Sequence, residues 1–429
     1  MYRECMNDLA KWMQKKERKP LVICGAKGVG KTWLVDDFAD GFFDNKVSID
    51  FKTQEYGRML FNGEMDKNQI IKMLEVFSGE QINPKSTLLV LENIHYISKP
   101  GVILSFISRY LSEFYVAATS AKGETVIFRD YDWEDELEIL HLYPLSFSEF
   151  LIENKEAVLC ERIEKYREEP LRDELVTHLE EYLEIYYLVG GMPEAVKCWI
   201  DTMDFQKVNQ VKAKIYQDYT KTIEEIENDS LRNRVMQVWD SIPNQLNKEN
   251  KKFQYQTVKL TARSREYYEA VDWLVKSGFI YKVNRIKEGE APLFGQEDIK
   301  SFEVFMVDIG MLSYLYEIEY QDLRRGANVF TSHNQSLTEQ FVFQELLFNP
   351  NVGNVYYWTS DATARIEFIF EDSGVVIPIE INLYGNNKAQ SLKVYKGRYK
   401  TPMALRVTCG KVAGESGIYD MPLYAIWNL

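Results

Sequence analysis

Short apolar runs alternate with stretches of helical spacing over the first 120 residues. Leu21-Val22-Ile23-Cys24 and Leu88-Leu89-Val90-Leu91 are continuous apolar runs, as expected of strands buried on both faces. Residues 47–51 and 114–118 predict two further strands. Between these lie helical patterns: Trp33, Leu34, Val35 and Phe38; then Ile70, Ile71, Leu74 and Phe77, closed by Gly79; then residues 102–111. Residues 1–16 read as an amphipathic helix ahead of the first strand. Strands alternating with helices predict an α/β fold, with a parallel sheet covered on both faces.

Beyond residue 140 the pattern turns mostly helical. Pro144-Leu145-Ser146-Phe147-Ser148-Glu149 reads as a helix entry, with Ser146 as cap and Glu149 three residues on. Gly190-Gly191-Met192-Pro193 breaks one helix and opens another, either as a packing turn or as a hinge. Val235, Val238, Trp239 and Ile242 share one helix face, and Ala270, Val271 and Leu274 share another before Gly278. Residues 279–283 then form a strand. A last helix (337–347) precedes strands at 366–370 and 375–381, joined by the turn Asp372-Ser373-Gly374.

A length of 429 residues suggests about three domains. No apolar run approaches the ~20 residues that cross a bilayer, and the first residues do not resemble a secretory leader. Cys5, Cys24, Cys160, Cys198 and Cys409 are scattered and odd in number, so they read as reduced thiols of a cytoplasmic protein. The four histidines form no cluster, which argues against a histidine metal site. The net charge of −14 is concentrated between residues 131 and 189, with 17 acidic and 5 basic residues, and reads as solvated helix faces. Residues 246–290 are locally basic, 10 against 6, which leaves room for contact with phosphate.

The sharpest chemistry follows the first strand. Gly25-Ala26-Lys27-Gly28-Val29-Gly30-Lys31-Thr32 has the spacing of a phosphate-cradling P-loop. Its glycines let successive N–H groups approach phosphate, Lys31 supplies a charge for the β- and γ-phosphates, and Thr32 is placed to ligate Mg²⁺. A nucleotide site of this kind, with ATP and Mg²⁺ as ligands, needs a carboxylate at the end of the strand at 88–91 and an adjacent base for the attacking water. The pair there is Glu92-Asn93. Glu92 can serve the metal, whereas Asn93 cannot accept a proton, so one carboxylate is missing. Thr119-Ser120, after the next strand, are candidates for sensing the γ-phosphate, and a plain strand-ending turn fits them equally.

The words GAKGVGKTWL (25–34), LYPLSFSEF (142–150), VGGMPEAV (189–196), VWDSIPNQL (238–246), SLTEQFVFQEL (336–346), YYWTSD (356–361) and VIPIEI (376–381) carry a resemblance. The chain resembles the bacterial and archaeal AAA-type ATPases fused to a C-terminal region of unknown function. The resemblance implies a P-loop domain over 1–143, a helical lid over 144–225, a winged-helix region over 226–330 and a domain similar to PD-(D/E)xK nucleases over 331–429. It also implies ATP and Mg²⁺ as cofactors and a homo-oligomer as one partner class, since AAA proteins often share sites across a ring. The family usually carries Asp-Glu where this chain has Glu92-Asn93, which predicts slow hydrolysis.

Two further constellations follow. Lys259, Arg263 and Arg265 lie near the start of the second helix of the winged-helix region, so either DNA or a protein is the partner there. In the nuclease pattern, two acids and a lysine surround Mg²⁺ and water. Here Glu367 stands for the usual Asp, Glu380 is the second acid, Asn382 replaces the lysine, and Glu339 on the preceding helix is a further acid. Mg²⁺ demands octahedral geometry at about 2.1 Å, so a lengthened ligand and a missing cation predict a silent nuclease-like site. The expected function is an ATP-binding protein in which nucleotide governs a DNA- or protein-binding C-terminal region. The alternative is a non-hydrolysing interaction module braced by ATP, and a Mg²⁺-dependent nuclease ranks last.

Overall fold

The computed structural model describes the whole chain except residues 62–65, 124–126, 129–132, 249, 321–333, 362, 384–388 and 410–416. Two compact units result, Met1–Tyr143 with Lys276–Gly278, and Pro144–Val275 with Phe279–Leu429.

The first unit is built on a parallel sheet of five strands: β1 (Leu21–Cys24), β2 (Asn45–Asp50), β3 (Thr87–Glu92), β4 (Tyr115–Ser120) and β5 (Glu138–His141), in the order β2-β3-β4-β1-β5. The apolar runs predicted as β1 and β3 are buried almost throughout because helices cover both faces. These are α1 (Met6–Gln14), α2 (Lys31–Phe42), α3 (Glu55–Leu60), α4 (Lys67–Ser78) and α5 (Pro100–Tyr110). Local chemistry sets their ends. Asp66 caps α4 by accepting from the Gln69 N–H at 2.9 Å, and Gly79 closes the same helix at φ 73°.

The topology decides where chemistry collects. From β1 the chain crosses β4 and β3 to reach β2 at the edge, returns strand by strand to β4, then skips β1 to reach β5. The connections leave β1 and β4 in opposite directions, and in open parallel sheets the crevice made there, at the carboxyl ends of the strands, is where ligands bind.

The second unit begins with a helical stretch: α6 (Phe147–Glu153), α7 (Ala157–Glu164), α8 (Asp173–Val189), α9 (Pro193–Thr202), α10 (Phe205–Glu224), α11 (Asp229–Leu246), α12 (Tyr255–Val258) and α13 (Ser264–Lys276). Ser146 and Glu149 form the capping box expected of them. Gly190-Gly191 is a packing turn. The Leu145 N–H donates to the Gly191 carbonyl at 2.7 Å, and a Cβ on Gly191 would stand 2.1 Å from the Leu145 oxygen.

A seven-stranded sheet follows, in the order β12-β11-β10-β9-β8-β6-β7. Its strands are β6 (Ile280–Ile286), β7 (Glu297–Met306), β8 (Tyr356–Thr359), β9 (Arg365–Asp372), β10 (Val375–Ile381), β11 (Ala404–Thr408) and β12 (Ile418–Pro422). The β6–β7 hairpin, which directly follows α13, joins the C-terminal strands through a parallel pairing of β6 with β8. The helices accompanying this sheet are α14 (Ile309–Leu315), α15 (Asn334–Phe348) and α16 (Gln390–Tyr399).

Helix α15 is buried on every side from Leu337 to Leu346, polar residues included. Three of these polar side chains have distant partners. The Gln340 amide accepts from the Met306 N–H at 2.8 Å and donates to the Met306 carbonyl at 2.9 Å. Gln344 accepts from the Ile309 N–H and donates to the Tyr186 hydroxyl, while Glu345 accepts from the Phe147 N–H at 3.1 Å. Such hydrogen bonds offset the cost of burying these amides and this acid, whereas Thr338 Oγ1 is buried without a partner among the described residues.

Candidate functional site

The loop between β1 and α2 has the geometry of an anion cradle. Gly28 and Gly30 take φ of 88° and 95°, which only glycine adopts without strain. Gly25 has no room for a side chain, since a Cβ would lie 2.1 Å from the Leu142 carbonyl oxygen. Its N–H donates to the Ser120 carbonyl at 3.2 Å, tying the loop to β4. Buried Arg3 braces the other side by donating to the carbonyls of Val29, at 3.2 Å, and Tyr143, at 2.6 Å. The Lys31 ammonium donates to the Gly25 and Ala26 carbonyls, both at 2.8 Å. Burial pulls its pKa down to about 8, so an incoming anion would find a cation short of counter-charge.

The ends of β2 and β3 bring the acids. The Thr32 hydroxyl donates to Glu92 Oε2 at 3.3 Å, joining the two residues expected to serve Mg²⁺. Burial, and next to it the charge of Asp50, raises the Glu92 pKa. Asp50 is the partner of Glu92 in the β2–β3 register, and sequence reasoning missed it. Its Oδ1 accepts from the Asn93 side-chain amide at 2.8 Å and from the Lys52 N–H at 2.9 Å, and its Oδ2 accepts from Thr53 Oγ1 at 2.8 Å. Those hydrogen bonds outweigh desolvation and hold its pKa below the usual carboxylate value. Asn93 itself takes a left-handed backbone, φ 58°, between β3 and the following turn. The signal for Asp50 was available, because every strand of a parallel sheet delivers its last residue to the same rim.

Thr119 and Ser120 are both buried at the end of β4. Thr119 Oγ1 accepts from the Asn93 N–H at 3.1 Å, so this hydroxyl fixes the residue that follows Glu92. Ser120 Oγ donates to the Lys122 carbonyl and accepts from the Lys122 N–H. His95, also unremarked in the sequence, packs here and accepts from the Ala121 N–H through Nδ1 at 3.3 Å. Burial, helped by Lys122 and Lys31, lowers its pKa to about 3 and keeps the ring neutral. Loop glycines, Lys31, and Thr32 beside Glu92 are a donor set suited to a nucleotide phosphate with Mg²⁺.

In the second unit the four nuclease-pattern residues fall into two pairs, Glu339 with Glu367 at Arg365 and Glu380 with the side chain of Asn382. The register of β8 and β9 shifts so that Trp358 faces Ile366 and Tyr356 faces Ile369, leaving Glu367 and Phe368 at a bulge. Glu367 lies 3.6 Å from the Arg365 guanidinium, which also reaches Glu303 at 2.9 Å and Glu339 at 3.3 Å. An arginine therefore occupies the centre of the three acids, and nothing in the sequence pattern pointed to it. Glu380 instead accepts from the Leu392 N–H at the start of α16, at 2.9 Å, and the Asn382 N–H pairs with the Val407 carbonyl. Among the described residues, no group of three or more His, Cys, Asp and Glu side chains is arranged to hold a metal ion.

Lys259, Arg263 and Arg265 are exposed where α12 gives way to α13, beside Leu260 at 89% exposure. Tyr267, Ala270, Val271 and Leu274 bury the inner face of α13, and its solvent side carries Glu266 and Glu269. Among the described residues no helix is long and apolar enough to cross a membrane.

Residues 17–151 match the family model of an AAA domain. Residues 180–322 match a domain of unknown function (DUF8612), and residues 335–422 match a second one (DUF4143). No curated protein matches the chain. Among solved structures the chain is similar to the Aeropyrum pernix Orc1 protein in complex with DNA, at 12% identity and a TM-score of 0.32, over 75% of this chain and 92% of that one. It is similar to Drosophila ORC bound to DNA at 12% identity and a TM-score of 0.27, over 73% and 85%. For the Saccharomyces cerevisiae Hsp104–ADP complex the values are 14% and 0.29, over 64% and 39%. Likenesses at such TM-scores carry no weight for what this chain binds. The glycine loop, the parallel sheet and the match over 17–151 make the first part of the chain a P-loop domain of the AAA type.

Proposed function

We propose that the first unit binds ATP with Mg²⁺ and that its nucleotide state governs what the second unit binds. One observation carries the nucleotide part: a buried lysine held over a loop in which Gly25 admits no side chain and Gly28 and Gly30 take positive φ, with Thr32 and Glu92 joined beside it. Lys31 would turn from the loop carbonyls to the β- and γ-phosphates. Thr32 and Glu92 would hold the metal, which would supply positive charge against the charge developing on the phosphates. Thr119 would keep Asn93 and its neighbours in register around the γ-phosphate.

We read α11, α12, α13 and the β6–β7 hairpin as a winged helix whose outer surface is the partner site. Lys259, Arg263 and Arg265 support contact with DNA phosphates, whereas exposed Leu260 and the acids on α13 support a protein partner. The C-terminal sheet serves as a scaffold that does not cut nucleic acid, because Arg365 neutralises the acids a metal would need. Titrating labelled duplex DNA at increasing salt, with and without ATP, tests the reading. Steep loss of affinity with salt that flattens when the three cations become alanine supports DNA. A salt-independent signal, or none even at low salt, leaves protein as the partner class, and identical behaviour with and without ATP removes the nucleotide control.

A further inference from the structure

The sequence leaves the ATP site one carboxylate short, because Asn93 stands where a base belongs. The structure places a second acid beside it. Asp50 ends β2 in register with Glu92, and its Oδ1 accepts from the Asn93 amide at 2.8 Å. Glu92 Oε2 accepts from the Thr32 hydroxyl at 3.3 Å, which joins the two residues expected to serve the metal. Asn93 is fixed from behind by Thr119, and its left-handed backbone turns the amide towards β2. One carboxylate and one amide thus face each other across β2 and β3, with the acid on β2.

We propose that Asp50 is the catalytic carboxylate of ATP hydrolysis in this chain, with Asn93 as the positioning residue that holds it. The inference rests on the ATP-binding reading above. A water molecule donates a hydrogen bond to Asp50 Oδ2, the oxygen that accepts only from Thr53 among the described residues, where Oδ1 already accepts from Asn93 and Lys52. Its oxygen bonds to the γ-phosphorus while the bond from that phosphorus to the β,γ-bridging oxygen breaks. ADP leaves with the electron pair, and the proton of the water passes to Asp50 and on to solvent, giving ADP and inorganic phosphate. Orienting the water matters more than strong basicity in a loose transition state, so a carboxylate held in place by Asn93 suits this step.

The test measures Mg²⁺–ATP affinity by calorimetry and phosphate release for the full chain and its variants. Asp50→Asn, which keeps size and polarity, is expected to hold affinity within about threefold and to lower turnover by ~10² to 10⁴. Asn93→Ala is expected to lower kcat with KM unchanged, because the acid remains but loses its hold. The double variant Asp50→Asn with Asn93→Glu moves the acid from β2 to β3, and is expected to recover turnover at least about tenfold over Asp50→Asn alone. Four results overturn the proposal: Asp50→Asn turning over like the parent, affinity falling in step with turnover, a double variant as slow as the single one, or a parent that binds ATP and releases no phosphate. A parent that binds no ATP refutes the nucleotide-site reading itself, and this inference with it.

Discussion

Replacing Arg365 with methionine should destabilise the second unit, and more at alkaline than at acidic pH. The guanidinium contacts Glu303 at 2.9 Å, Glu339 at 3.3 Å and Glu367 at 3.6 Å, and the three acids are 3, 2 and 10% exposed. Methionine keeps most of the packing and removes the cation. Breaking a buried ion pair from one side costs about 3–5 kcal/mol, because the remaining charge has no partner. The acids can escape by protonation. Burial already lifts Glu303 to about 7 and Glu367 to about 8, even beside Arg365. In the unfolded chain both titrate at their ordinary, lower value, so between roughly pH 4.5 and 8 the folded state holds protons that the unfolded state has released. Stability contributed by these groups therefore falls as pH rises through that window, and the slope steepens in the variant. Each pH unit below the folded pKa of one acid relieves up to about 1.4 kcal/mol. The expected loss is thus about 3–5 kcal/mol at pH 8.5 and roughly 1–3 kcal/mol less at pH 6. Urea unfolding followed by tryptophan fluorescence reports it, since Trp358 is buried on the strand beside β9. A loss below about 1 kcal/mol, or one that is the same at both pH values, would refute the reasoning.

Lys31→Ala should weaken ATP–Mg²⁺ binding by ~2 kcal/mol or more through loss of a charge-assisted contact, read by calorimetry. Because Lys31 sits near pKa 8 and phosphate would raise it, parent binding should take up protons around pH 8–9 and weaken above that, which buffers of different ionisation enthalpy reveal. Gly25→Ala should abolish nucleotide binding, since the new methyl meets the Leu142 backbone oxygen and neither side can yield; retained affinity would show that the loop moves freely. Asn382→Lys should gain no cleavage of plasmid or single-stranded DNA in Mg²⁺ or Mn²⁺, because Glu367 and Glu380 serve different partners.

The P-loop sheet was legible because a short, unbroken apolar run set between helical patterns suits a strand covered on both faces. Two strands lack such a run: β2 was read from its alternation, and β5 was missed because Glu138 and the exposed His141 flank only two apolar residues. Asp50 was overlooked because an acid at a strand end is also an ordinary turn residue, and only the β2–β3 register shows what it faces. Lys31, Thr32 and Glu92 followed from spacing alone. The second unit was harder for a physical reason. The helix at 337–347 was visible, but nothing local says that Gln340, Gln344 and Glu345 are buried, since their partners lie 34, 158 and 198 residues away. The strand at 279–283 was equally visible, whereas its pairing with β8 is a long-range choice. Arg365 was missed for the same reason: its three acids come from β7, α15 and β9.

The burial of α15 has a consequence for how the protein is made. The five strands of the first sheet all lie within residues 1–143, so that sheet can close soon after its last strand leaves the ribosome. The second unit has no such freedom, because the Phe147 N–H finds its acceptor only in Glu345, 198 residues later. At roughly 5–20 residues per second, about 10–40 s of synthesis separate the two. During that interval helices α6 to α14 exist without the element that fills their middle, and their apolar surface stays exposed while the first sheet is already closed. A nascent chain paused before residue 334 should therefore be protected from proteases in its first part and open to them in its second. Release of the pause, rather than any slow step within the first domain, should set the time at which the whole chain becomes resistant.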